Sequence, residues 1–186
     1  MDQRGLIDRA RQGDHDAFAD LVDGRLARLD AAARLILRDG ELARDAVQEA
    51  MIRAWRDLPG LRDPDRFDAW LQRLLANACL DLVRRRKRRV IEVELSPIDA
   101  PSTVDIATDL ADRELLDQAL AGLAASHRAV VALHYLLGMP LPEVAASLGI
   151  PLGTAKSRLH YSLAAMRIAV TTEPETAPAT VAGGLT

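Results

Sequence analysis

The chain has 186 residues, 49% of them hydrophobic and 27% charged, with a formal net charge of −3. That is the make-up of a globular protein, and it excludes collagen-like, low-complexity and wholly disordered chains. The single cysteine, Cys79, excludes a disulfide framework. With no apolar run near 18 residues and no secretory h-region, the expectation is a cytoplasmic product without membrane insertion.

Aromatics make up only 3% of the chain, so small aliphatic side chains must fill its core. Ala, Leu and Arg dominate, and these residues cost least in a helix. In chain order, Leu6, Ile7 and Ala10 open a short helix that stops near Gly13. Asp14 is the N-cap expected for a second, whose apolar positions are Phe18, Leu21, Val22, Leu26 and Leu29. Asp39-Gly40 punctuates before a third stripe of Leu42, Ala46, Val47, Met51, Trp55 and Leu58. Pro59-Gly60 and Arg62-Asp63-Pro64-Asp65 form a polar loop. A fourth helix carries Phe67, Trp70, Leu71, Leu74, Leu75, Ala78 and Leu82 and ends in an unbroken basic run, Arg84-Arg85-Arg86-Lys87-Arg88-Arg89.

Residues 91–108 are acidic, with Pro97 and Pro101, and read as a partly extended linker. About 20 such residues span roughly 65 Å when extended. Helical spacing resumes at Leu110, Leu115, Leu116, Ala119, Leu120 and Leu123, and again from Ser126 through Val130 and Leu133 to Leu137. Two short helices follow near 142–148 and 153–168. The tail from 171 is polar and aperiodic, as disordered segments are. The fold class expected is all-α, with two small helical domains joined by a flexible acidic linker. The boundaries are 1–90, 91–108 (linker), 109–170 and 171–186 (tail).

The strongest local signal is a helix-turn-helix pattern, with Glu143 to Gly149 as its first helix and Gly153 to His160 opening its second. Ala145 is small enough for close helix crossing, and Gly149 suits the positive φ of a helix end. Ile150 and Leu159 can plug the corner. Thr154, Lys156, Ser157, Arg158 and His160 are short polar and basic groups suited to phosphates and base edges in a major groove. The basic run exceeds what helix-end capping needs and points to phosphate binding.

The stretch from Leu120 to Arg167 resembles the fourth region of extracytoplasmic-function sigma factors, members of the sigma-70 superfamily. The stretch from Leu6 to Arg89 resembles their second region. The resemblance implies a sigma subunit that docks on core RNA polymerase and directs promoter-specific initiation by reading −10 and −35 elements. It makes Asp45, Gln48, Glu49 and Arg53 a docking face for the polymerase clamp helices, with the flap as a second polymerase contact. Trp70, Arg73 and Asn77, with Arg84, Arg85, Arg86, Lys87 and Arg88, become the −10 reader. The recognition-helix residues named above become the −35 reader, and the loop from Pro59 to Asp65 a base pocket. Promoter DNA and an anti-sigma factor are the further partners implied.

The chain departs from the family pattern in places. Pro140 stands where a capping Ser is usual, and Pro142 partly substitutes at the first turn. Tyr161 and Leu163 stand where basic residues are usual, so weaker phosphate affinity at −35 is expected. The alternative reading is a stand-alone helix-turn-helix regulator. Enzyme, cofactor and metal readings have no support. There is no P-loop or nucleophile–base set, and His15, His127, His134 and His160 lack ligand spacing.

Overall fold

Aspartates start the helices of the first half. In the computed structural model, which describes residues 2–92 and 119–171, Asp2 accepts from Gly5 N at 3.1 Å and opens α1 (Gln3–Arg11). Asp14 accepts from Ala17 N at 3.0 Å and opens α2 (His15–Leu37). Arg38 then takes a left-handed conformation, φ 54°, which turns the chain into the Asp39 cap of α3 (Gly40–Asp57). Each cap satisfies an amide that the helix itself cannot. Two short 3-10 turns, Leu58–Gly60 and Pro64–Arg66, lead into α4 (Phe67–Glu92). The helix thus continues unbroken through the basic run.

The buried face of α3 differs from the expected stripe. Ala43, Ala46, Ala50 and Ala54 are fully buried, whereas Leu42, Val47, Met51 and Trp55 are half-buried. Alanines let α3 lie close between α2 and α4, and the longer side chains straddle the seam. Trp55 stacks on His15 at 4.3 Å and meets Phe18 edge-on at 5.2 Å. In α4 the core residues are Phe67, Leu71, Leu75, Ala78 and Cys79, while Trp70, Leu74 and Leu82 sit at its margin. Arg25 fastens three helices: it donates to Gln3 at 2.7 Å, pairs with Asp68, and stands over the Phe67 ring at 5.3 Å.

In the second half, residues 119–121 are helical and α5 spans Ala125–Val131. The continuous helix expected from Ser126 to Leu137 instead widens into a π turn, Ala132–Leu136. There Leu137 N donates to the Ala132 carbonyl at 3.0 Å and His134 Nδ1 meets the Met139 carbonyl at 2.9 Å. Then come α6 (Leu141–Leu148) and α7 (Leu152–Thr171). Between them Gly149 has φ 63°, the left-handed value its position demands. The described residues contain no strand.

Both helical modules are present, and they pack on each other. Val130, Leu133, Leu137, Met139 and Val144 belong to one apolar cluster with the core of α2, α3 and α4. Arg28 donates to the Leu136 carbonyl at 2.9 Å, Gln72 to the Leu137 carbonyl at 3.4 Å, and Arg128 Nε to the Ile36 carbonyl at 2.8 Å. The expected linker begins as the last residues of α4 at 91 and 92. Its remainder, the Leu110–Leu116 helix and the tail beyond 171 lie outside the described residues.

Candidate nucleic-acid interface

An α-helix turns about 100° per residue, so the 3-4 spacing of Trp70, Arg73, Asn77, Arg84 and Arg88 places all of them on one stripe of α4. At 1.5 Å per residue that stripe is about 27 Å long. Arg73, Arg84 and Arg88 are exposed; Trp70 and Asn77 are half-exposed. Trp70 leans on Phe67 at 5.7 Å, so one part of the indole packs while the rest faces outward. An indole held this way can stack on an unpaired base, with an amide and cations in line to meet its edge and phosphates.

The basic run does not act as one patch. All five of Arg84, Arg85, Arg86, Lys87 and Arg88 are exposed, but consecutive residues wrap the helix. Arg84, Arg85 and Arg88 share the side of the stripe, whereas Arg86 turns back toward α3 and pairs with Asp39 at 3.5 Å. Arg84 also reaches Asp81 at 3.1 Å. Fewer phosphates can therefore be met at once than the length of the run suggests.

On α3, Asp45 and Gln48 are exposed and Glu49 is half-exposed. Arg53 lies at the edge of this face. It donates to Glu49 at 2.7 Å and to Asp81 of α4 at 3.3 Å, and its side chain is 19% exposed. Those carboxylates hold the guanidinium above its ordinary pKa. Arg53 is therefore a strut between α3 and α4. The residue that completes the α3 face is Ile52, 54% exposed among polar neighbours. An isoleucine on the polar side of a helical wheel is the signal in the sequence that marks this position.

In α7, Lys156, Ser157 and His160 are exposed on one face, with Gly153 beside them. Thr154 and Arg158 are half-buried, and Arg158 lies near His127 of α5. Ser157 Oγ donates to the Thr154 carbonyl at 3.0 Å, and buried Ser162 to the Arg158 carbonyl at 2.7 Å. Tyr161, 58% exposed, leans on His127 at 5.2 Å. Burial, and secondarily Arg158, pushes His127 below its ordinary pKa. Pro140 caps α6 by position only; no side chain fills the role. Ile150 and Leu159 are half-buried against the core, as the corner requires.

The loop after α3 and the front of α4 line a groove of about 730 Å³ with α6. Arg66 and Glu143 pair across it at 3.1 Å. Among the described residues no group of His, Cys, Asp or Glu is placed to hold a metal. No described helix is long and apolar enough to cross a membrane.

A helical module bearing this stripe, followed by a helix-turn-helix, defines a class of transcription protein. Residues 9–89 match sigma-70 region 2 and residues 113–166 match sigma-70 region 4. The chain is 38% identical over 151 residues to the ECF RNA polymerase sigma factor SigL of Mycobacterium tuberculosis, covering 80% of this chain and 85% of SigL. It is 30% identical over 179 residues to SigW of Bacillus subtilis, covering 87% and 92%. The structure of CnrH in complex with the cytosolic domain of CnrY superimposes with a TM-score of 0.65 at 29% identity, covering 92% of this chain and 99% of that one. The chain belongs to the extracytoplasmic-function family of sigma-70 RNA polymerase sigma factors.

Proposed function

We propose that the chain docks on core RNA polymerase in the cytoplasm and directs promoter-specific initiation, with one module reading the −10 element and the other the −35 element. The observation that carries this is the α4 stripe, where an indole, an amide and cations line up along a single helix face. Trp70 and Asn77 engage an unstacked base of the −10 strand, and Arg73, Arg84, Arg85 and Arg88 hold its phosphates. Base stacking contributes about 1–3 kcal/mol, enough to offset much of the cost of opening one step. Lys156, Ser157 and His160 read the −35 major groove, with Thr154 and Arg158 at the backbone.

The α3 face of Asp45, Gln48, Glu49 and Ile52 suits the clamp helices, with Ile52 as the apolar anchor inside a polar rim. Region 4 meets the flap. An anti-sigma factor is a further partner, by analogy with CnrH and CnrY. The chain itself performs no covalent step and needs no cofactor, since nucleotide addition belongs to the core enzyme.

Transcription from genomic DNA with purified core polymerase, followed by start-site sequencing, tests the proposal. Discrete start sites sharing two upstream elements are expected only when the chain is present. Unselective initiation in the presence of the chain would overturn the reading.

A further inference from the structure

We infer that α1 is a clamp for the loop ahead of α4: Gln3, Arg4 and Arg11 fix its main chain, so that Arg62 and Asp63 meet an unpaired base in one conformation. This rests on the assignment of α4 as the −10 reader. Three contacts tie the loop to α1. Arg11 donates through Nη2 to the Leu61 carbonyl. Gln3 Nε2 donates to the Pro64 carbonyl at 2.9 Å. Arg4 donates through Nε to Asp65 at 3.1 Å and pairs with it again through Nη2. The two carbonyls bracket Arg62 and Asp63, which are exposed, while Leu61 itself is buried. Gln3 and Arg4 lie ahead of residue 9, where the match to region 2 begins.

The clamp also sets the loop against the stacking residue. The loop ends where α4 begins, and Trp70 stands about one turn into that helix. Arg62, Asp63 and Trp70 open onto the same side of the module. An arginine can only donate, so the Gln3 oxygen faces Arg25, which reaches it at 2.7 Å, and the Gln3 amide nitrogen is left for Pro64. Arg25 in turn pairs with Asp68 of α4 at 2.5 Å. Pro64, Gln3, Arg25 and Asp68 thus form one chain of contacts from the loop to the helix that carries Trp70. Asp63 is fixed as well: its side chain accepts from the Asp65 amide at 3.0 Å and its carbonyl from the Arg66 amide at 3.1 Å. A donor beside an acceptor discriminates between base edges only when both are held, because a loose pair re-forms around any base. The Arg4–Asp65 pair is 64% and 62% exposed, so it adds little to stability, and its effect falls on the order of the loop.

The test uses the full chain with core polymerase on a promoter library randomised through both elements, read by sequencing the transcripts. Gln3→Glu keeps the tie to Arg25 and withdraws the donor from Pro64. Arg4→Glu breaks the pair with Asp65. Each variant should relax base preference about two- to fivefold at one −10 position, the same in both, and leave the −35 preference as it is. Arg4→Glu/Asp65→Arg should restore the preference. Hydrogen exchange reads the clamp without polymerase. The Asp65 and Arg66 amides should exchange about two- to fivefold faster in both single variants and slow again in the charge swap.

Unchanged exchange at these two amides would overturn the clamp, as would a loss of preference spread evenly over −10 and −35 positions. A charge swap that restores neither readout would overturn it too. Absence of any selected −10 position with the unmodified chain is a separate result, which would count against the proposed function instead.

Discussion

The first module holds itself together, and the second leans on it. In the first, helix starts are capped by Asp2, Asp14, Asp39 and Asp63, and ion pairs such as Arg25–Asp68 and Arg53–Asp81 cross between helices. In the second, Ala124 and Pro140 precede helices without any side-chain cap. The ion pair of Glu143 with Arg66 reaches back to the first module. Arg128 shows the same dependence: buried enough to be lowered to about 10, it donates to carbonyls of its own module and to Ile36 of α2. The second module thus draws part of its support from the face it packs against α2 and α4.

That asymmetry can be broken from either side. The largest effect is expected for Phe67→Ala, which empties a fully buried site in α4 and should cost about 3–5 kcal/mol. Urea melts followed by tryptophan fluorescence and by far-ultraviolet circular dichroism should move together, since the second module loses its support. Leu133→Ala, also fully buried, should cost about 2–5 kcal/mol. Here the two probes should part: both tryptophans lie in the first module, so circular dichroism should fall first. Coincident transitions would show that the modules are one cooperative unit and that the asymmetry is false.

Smaller changes address the caps. Asp39→Ala removes an acceptor for two amides and should cost about 1 kcal/mol. Pro140→Ser supplies the missing cap at a residue already extended at ψ 140°, and a gain of about 0.5–1 kcal/mol is expected. The smallest effect is in pH. The folded His127 has a pKa below the ordinary 6.5, mainly through burial. The unfolded chain then binds more protons, so the stability tied to neutral His127 is present above pH 6.5 and lost as pH falls below it. Asp14 is held below its ordinary 3.8, chiefly by the Ala17 amide and by Arg9, and its contribution survives to lower pH. On acidification the second module should weaken first, and His127→Gln should flatten that early loss.

The residue pattern made much of this legible. Asp14 and Gly149 announced a helix start and a helix end, because capping depends on side chains a few positions away. That Trp70, Arg73 and Asn77 share one face of α4 follows from 3-4 spacing; the −10 role proposed for them comes from the family resemblance. The alanine face of α3 was harder to read, because periodicity marks a direction and the closeness of two helices decides whether small or large residues fill it. The π turn after Val131 is not a local preference, and the fixing of Arg53 depends on Asp81, far along the chain. The docking of α6 on α4 is more distant still: it depends on surface shape between segments separated by the whole linker.

Footprinting by the holoenzyme tests the central claim most directly. The account predicts two protected blocks about two helical turns apart, seen only with core polymerase present, with Lys156→Ala/Arg158→Ala erasing the upstream block alone. Protection of a single operator by the chain without polymerase would contradict it.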